Sequence, residues 1–336
     1  MLKYYILGGI VIVHLVVFGV MVMSPDDGMQ APEVASETVL EAAAPGAGAP
    51  LSPPEPPVPA GPVFTPFSPS YFTVSSRSLP KAVETRTGDI AAGAVVDLSS
   101  RTVYWGKHML QAYPIASMTK MMTALLVVED LHASEGRLTL ETPVQVTVAA
   151  SKIGGRQVWL DPRETLTIDE LLKCVLIRSA NDCAYLLGEF LSGSESAFVT
   201  RMNERAKALG CRQFVFHNTH GLPDNGRENL SSPVELAYLA GVLMDVPEIM
   251  RWTTVRRDAI REDKKILYLD TTNSLLGRCP GVNGMKTGVT NKAGHCITLT
   301  CDRDGRRLAV VVMGAANSKS RDALARELLE WGYAQN

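Results

Sequence analysis

The chain has 336 residues, a formal charge of −2 and 46% hydrophobic side chains, which is enough for one large core or two small ones and excludes a generally disordered protein. Lys and Arg form no dense block, which argues against a nucleic-acid-binding surface. The acids are uneven: residues 24–70 carry six (Asp26, Asp27, Glu33, Glu37, Glu41, Glu55) and no Lys or Arg, leaving residues 71–336 at +3.

Tyr4–Met23 is an uncharged, mostly apolar run of 20 residues behind Lys3. As a helix it would rise about 30 Å, the thickness of a bilayer's hydrocarbon core. Lys3 favours a cytoplasmic N-terminus and places the rest of the chain outside. The run is longer than the apolar region of a signal peptide and no A-x-A-like site follows it, so an uncleaved anchor over residues 1–23 is expected. Residues 24–70 hold twelve of the chain's 20 prolines and read as a stiff, partly PPII spacer. Residues 71–336 are left for the folded domain that carries the motifs described below.

Ile90–Leu98 and Thr102–Gly106 read as paired strands around a Ser99-Ser100-Arg101 turn. Helical periodicity follows over Ser117–Leu131, Ile168–Ile177, Asp182–Leu191, Glu195–Leu209 and Pro233–Met244. Strand patterns return at Cys296–Cys301 and Arg307–Met313, around a turn at Asp302–Gly305, and Arg321–Tyr333 closes as a helix. The order predicts an α+β fold, an antiparallel sheet built from both ends of the segment with a helical region inserted between. The six cysteines show neither C-x-x-C spacing nor disulfide-scaffold density, and most are read as small buried apolar residues.

Three short motifs carry chemistry. Ser117-Met-Thr-Lys120 opens an apolar helix, and i, i+3 spacing brings Lys120 to the Ser117 hydroxyl. A lysine in apolar surroundings can lose its proton near neutral pH and activate a serine. Ser117 would also sit at a helix start, where a free N–H can face an oxyanion. Ser179-Ala-Asn181 lies between two helical patterns, a hydroxyl and an amide able to point the same way. Lys286-Thr-Gly288, just before a strand pattern, offers a cation and a hydroxyl to a carboxylate, with Gly288 permitting close backbone approach. Each is weak alone, since capping serines and surface turns give the same letters. The ordered set S-x-x-K, S-x-N, K-T-G is that of penicillin-binding proteins and class A β-lactamases.

With these motifs in place the sequence closely resembles the low-molecular-mass penicillin-binding proteins, D-alanyl-D-alanine carboxypeptidases of the S11 peptidase type. The likeness runs from about Ile90 to Tyr333 and includes Phe216-His-Asn-Thr-His-Gly-Leu-Pro223 and Leu328-Leu-Glu-Trp-Gly332. It implies the serine β-lactamase/penicillin-binding-protein fold and a serine carboxypeptidase that removes the terminal D-alanine of peptidoglycan stem pentapeptides. By the same resemblance Ser117 forms the acyl-enzyme, Lys120 takes its proton and Ser179 assists proton transfer to the leaving D-alanine. Asn181 orients the substrate, Lys286 and Thr287 hold its terminal carboxylate, and the N–H groups of Ser117 and Val289 form the oxyanion hole. Arg321 supports carboxylate binding. No metal or organic cofactor is implied, and β-lactam antibiotics are expected to acylate Ser117.

The chain departs from the family's pattern at Ala180, where glycine is usual, and it is expected to lack the extra β-domain and C-terminal amphipathic anchor of many relatives. A β-lactamase would be expected to carry a Glu-x-x-Leu-Asn deacylation motif, which is absent. A D,D-endopeptidase and a non-hydrolytic penicillin-binding sensor remain the alternatives. His217 and His220 are expected to serve a loop rather than a metal.

Overall fold

The computed structural model describes residues 64–262 and 265–335. The expected anchor, Tyr4–Met23, and residues 24–63 of the spacer lie outside them. Among the described residues no helix is long and apolar enough to cross a membrane.

An uninterrupted apolar run such as Leu308-Ala-Val-Val-Val-Met313 fits a strand only where both faces of the sheet are covered. The central sheet is built that way. Its strands are β1 (Thr73–Val74), β2 (Ala92–Asp97), β3 (Thr102–Lys107), β4 (Val282–Thr290), β5 (Gly294–Arg303) and β6 (Arg306–Ala315), in the order β1-β3-β2-β6-β5-β4. Every pairing is antiparallel except the short edge pair β1–β3. The period-2 alternation of strands sends Ala309, Val311 and Met313 of β6 into the core beneath the helical region. Leu308, Val310 and Val312 face the other way, onto the closing helix.

That helix runs Ser318–Tyr333, capped by the Asn317 side chain, and packs Leu324, Ala325, Leu328 and Leu329 on the sheet. The inserted region centres on α1 (Lys120–Ala133), whose first nine residues are all buried, the mark of a helix surrounded by other elements. Around it stand α2 (Ile168–Lys173), α3 (Asn181–Ser192), α4 (Glu195–Ala208) and α5 (Pro233–Met244). α5 matches its predicted bounds because its start is written locally, by the Ser232 cap and Pro233 in the first turn.

Beyond shifts of a few residues at element ends, such as the closing helix starting at Ser318 rather than Arg321, three differences from expectation bear on the site. The predicted helix Ile168–Ile177 is α-helical only to Lys173 and continues as a wider π-type turn, Cys174–Arg178. Lys286-Thr-Gly288 lies inside the nine-residue edge strand β4 rather than before a strand. Residues 64–70, read as the end of the spacer, are tied to the folded core: Phe67 N–H donates to Leu209 O (2.7 Å) and Tyr238 O–H to Thr65 O (2.8 Å). Proline content concealed the aromatic Phe64 and Phe67, which pack on the main core. All six cysteines are buried free thiols.

Candidate active site

Ser117 occupies a single 3-10 turn, Ala116–Thr119, that leads directly into α1. Ala116 has φ +46°, left-handed backbone that costs a non-glycine residue about 1–2 kcal/mol. The Ala116 carbonyl is held by the Thr119 hydroxyl at 2.7 Å, so the strained corner is fixed from inside. One turn on, Lys120 Nζ lies 3.0 Å from Ser117 Oγ, 2.7 Å from Asn181 Oδ1 and 2.5 Å from the His220 carbonyl.

Lys120 is completely buried. Burial lowers its pKa well below the ordinary lysine value, the Lys286 charge lowers it further, and buried Asp182 only partly opposes them. A neutral amine has two N–H bonds and one lone pair. In that form Asn181 Oδ1 and His220 O can accept both hydrogens and leave the lone pair for the Ser117 hydroxyl, whereas the charged amine donates to all three.

The wider turn Cys174–Arg178 ends at Ser179, whose φ of +68° reverses the chain before α3 begins. Lys286 Nζ, reaching in from β4, donates to Ser179 Oγ at 2.8 Å and to Thr287 O at 2.9 Å. This second lysine–serine pair joins residues 107 positions apart. Lys286 is also fully enclosed, and burial, with Arg156 and Arg321 nearby, pulls its pKa down to about 7. Its third hydrogen is available to a ligand. Ala180 has φ −64° and ψ 127°, ordinary extended backbone, so the residue that departs from the family's glycine needs no glycine here. Asn181 uses both ends of its amide, accepting from Lys120 and donating to Gly154 O at 2.8 Å.

Gly288 brings the strand onto the nucleophile's turn. A Cβ there would stand 2.8 Å from Ile115 O and 3.0 Å from Ser117 N, main chain against main chain. Val289, the next residue, is half exposed. The Thr287 hydroxyl bonds Thr272 Oγ1 at 2.7 Å. Arg321 is in the first turn of the closing helix, buried; it donates to Asp322 Oδ1 at 2.7 Å, and its charge is felt at Lys286. The structure thus gathers Ser117, Lys120, Ser179, Asn181, Lys286 and Thr287 in one cluster, with Gly288 against the Ser117 turn and the Arg321 charge felt at Lys286.

Several contributors had no signal in the sequence. Asp182, buried, accepts N–H groups from Val158 (3.0 Å), Leu160 (3.3 Å) and Cys183 (3.0 Å), bolting the loop 154–160 to the start of α3. His220 acts through its main-chain carbonyl, while burial lowers its ring's pKa to about 3 and keeps it neutral. Asn229 ties this segment to the Ser117 turn by donating to Thr119 Oγ1 (2.9 Å) and Asn218 O (3.0 Å). Among the described residues no group of three or more His, Cys, Asp or Glu side chains is placed to hold a metal ion.

The family profile described as D-alanyl-D-alanine carboxypeptidase matches residues 80–317. D-alanyl-D-alanine carboxypeptidase DacF of Bacillus subtilis is 34% identical over 275 residues, covering 80% of this chain and 68% of its own. DacC of Escherichia coli is 30% identical over 275 residues, 80% of this chain and 66% of its own. The chain therefore spans about two thirds of the length of these relatives. Among solved structures, penicillin-binding protein D2 of Listeria monocytogenes in its ampicillin-bound form is 28% identical with a TM-score of 0.66, covering 73% of this chain and 98% of that one.

Proposed function

The chain belongs to the D-alanyl-D-alanine carboxypeptidase family, and on that premise we propose that it is a serine D,D-carboxypeptidase removing the terminal D-alanine of peptidoglycan stem pentapeptides. The observation that carries the proposal is the 3.0 Å contact between Ser117 Oγ and a buried Lys120 whose other two partners are both acceptors.

The reaction follows from the donors and acceptors in place. Ser117 Oγ attacks the carbonyl carbon of the penultimate D-alanine as its proton passes to the Lys120 lone pair. Negative charge on the carbonyl oxygen meets the N–H groups of Ser117 and Val289, brought within reach by Gly288. The proton that Lys120 took from Ser117 is handed on through Ser179, which is held by Lys286, to the departing amine, so Lys120 is neutral again and Ser179 keeps its hydroxyl when the C–N bond breaks to release D-alanine. Water then attacks the Ser117 ester and Lys120 takes its proton, returning free serine and the shortened peptide. Lys286 and Thr287 hold the terminal carboxylate. Arg321, already committed to Asp322, acts on that carboxylate through its field at Lys286. β-Lactams enter as acylating inhibitors of Ser117; the Listeria protein was solved with ampicillin bound.

We further propose that residues 1–23 anchor the chain in the cytoplasmic membrane with residues 71–336 outside it, a reading supported by the Tyr4–Met23 run and Lys3. Protease added to intact spheroplasts should digest the catalytic domain; protection would reverse the topology. For the activity, wild type and Ser117→Ala are incubated with a fluorescent penicillin and with a pentapeptide ending in D-Ala-D-Ala. Labelling and D-alanine release, both lost in the variant, are expected. Labelling with cleavage only of cross-linked dimers would make the protein a D,D-endopeptidase, and absence of both would overturn the assignment.

A further inference from the structure

The two N–H groups that face the oxyanion belong to different elements, so the hole exists only while those elements keep one separation. Ser117 N–H is on the 3-10 turn Ala116–Thr119, and Val289 N–H is on the edge strand β4. Packing fixes how close they come: a Cβ on Gly288 would already stand 3.0 Å from Ser117 N. Contact of that kind sets a lower limit and does not stop the two from parting. Among the described residues no hydrogen bond runs directly between the turn and β4.

The tie between them runs through Glu228 and Asn229. On one side Asn229 is fixed to the turn: its carbonyl accepts Ile115 N–H at 2.9 Å, and its Nδ2 donates at 2.9 Å to Thr119 Oγ1, the hydroxyl that holds Ala116 O. The short ladder of Tyr113–Pro114 with Leu230–Ser231 continues that join. On the other side the Thr290 hydroxyl donates to the Glu228 carboxylate, 3.1 Å from Oε1 and 3.3 Å from Oε2. The same hydroxyl accepts Ala293 N–H at 3.0 Å, which turns its own hydrogen towards Glu228. Thr290 follows Val289, so the path from one oxyanion donor to the other is covalent chain and hydrogen bonds throughout.

Glu228 is buried, at 5% exposure. Among the described residues the Thr290 hydroxyl is the carboxylate's one hydrogen-bond partner, and no cation pairs with it. A carboxylate offers about four lone-pair sites, and burial on a single hydroxyl returns less than the desolvation it costs. Stability therefore does not account for this carboxylate, whereas position does. We infer that Glu228 is a positioning residue: by fastening Thr290 to the segment that carries the Ser117 turn, it holds the Val289 N–H at the distance from the Ser117 N–H at which both meet the oxyanion. It touches no reacting atom and acts through Thr290. The inference rests on the acyl-enzyme reading of Ser117 and on that pair of donors.

The test uses the full-length chain as wild type, Glu228→Ala, Glu228→Gln, Thr290→Val, Thr290→Ser and the double variant Glu228→Ala with Thr290→Val. It reads kcat and KM for D-alanine release from diacetyl-L-Lys-D-Ala-D-Ala, the acylation rate with benzylpenicillin, and Tm, with active enzyme counted by penicillin titration. Oxyanion donors meet charge only in the transition state, so Glu228→Ala and Thr290→Val should each lower kcat about tenfold with KM within about twofold, short of the about 10²- to 10³-fold cost of losing a donor outright. Both break the same tie, so the double variant should also lose about tenfold rather than about 100-fold. Glu228→Gln keeps the acceptor and Thr290→Ser the hydroxyl, so both should stay within about threefold of wild type, and Tm in Glu228→Gln should hold or rise. A kcat within about twofold of wild type in Glu228→Ala, a double variant down about 100-fold, or Glu228→Gln as slow as Glu228→Ala overturns the inference. If Glu228→Ala does not fold, Thr290→Val against Thr290→Ser decides it, and equal rates in those two overturn it. If wild type is acylated but releases no D-alanine, the carboxypeptidase reading fails and the same ratios, read as acylation rates, judge Glu228. No acylation of wild type overturns both.

Discussion

Gly288→Ala tests the approach of the edge strand to the nucleophile's turn. Gly288 has ordinary strand backbone, so alanine brings no conformational penalty and the effect is steric. The added Cβ would lie 2.8 Å from Ile115 O and 3.0 Å from Ser117 N, against about 3.4 Å for an unstrained contact. Both obstacles are main chain, so no rotamer change relieves them, and strand and turn must separate by about half an ångström. Misplacing a reacting group by about 1 Å can cost about 100-fold in rate, so the acylation rate should fall by about 10- to 100-fold. Overpacking of this kind costs about 1–3 kcal/mol of stability, leaving a folded enzyme. The second-order rate of labelling by a fluorescent penicillin, read beside Tm, measures both. Acylation within twofold of wild type, at any Tm, would refute the claim that this approach sets the reactive geometry.

Other expectations follow from the buried groups. Lys120→Met keeps the volume but removes the base, and labelling of Ser117 should slow by about 10²- to 10⁴-fold. Lys286 has a folded pKa of about 7 against 10.5 for a free lysine, so at higher pH the unfolded state holds a proton the native state has lost. Stability should therefore rise with pH from about 7 to 10, by about 1.4 kcal/mol per unit from this group. Urea unfolding should show that slope reduced in Lys286→Met, and an unchanged slope would mean Lys286 is not desolvated. Asp182→Asn places an amide where three main-chain N–H groups converge, and should cost about 1–3 kcal/mol in urea unfolding while slowing acylation through the loosened 154–160 wall.

The helices were legible where their signals are local. Ser232-Pro233 starts α5, and the capping box Thr167/Glu170 starts α2. The two-faced core strands could be read from β-branched runs such as Val310-Val-Val312. β4 was not, because Asn283, Gly284 and Gly288 lower its strand propensity, although Gly288 is what the site needs. The i, i+3 spacing of Ser117 and Lys120 gave their contact. The Lys286–Ser179 pair could not be read in this way, because its 107-residue separation is closed only by tertiary folding. Asp182 had no pattern, and His220, read as a loop histidine, acts through its main-chain carbonyl, which side-chain reasoning does not register. The end of the spacer was misplaced because composition weighs prolines and cannot register the burial of Phe64 and Phe67.

The central claim is that Ser117 is the nucleophile and that Lys120 activates it. Peptide mapping by mass spectrometry after brief exposure to benzylpenicillin tests it most directly. The account predicts one penicilloyl adduct, on the peptide containing Ser117, absent in Ser117→Ala and formed far more slowly in Lys120→Met. An adduct on Ser179 or elsewhere, or one formed at the wild-type rate without Lys120, would contradict it.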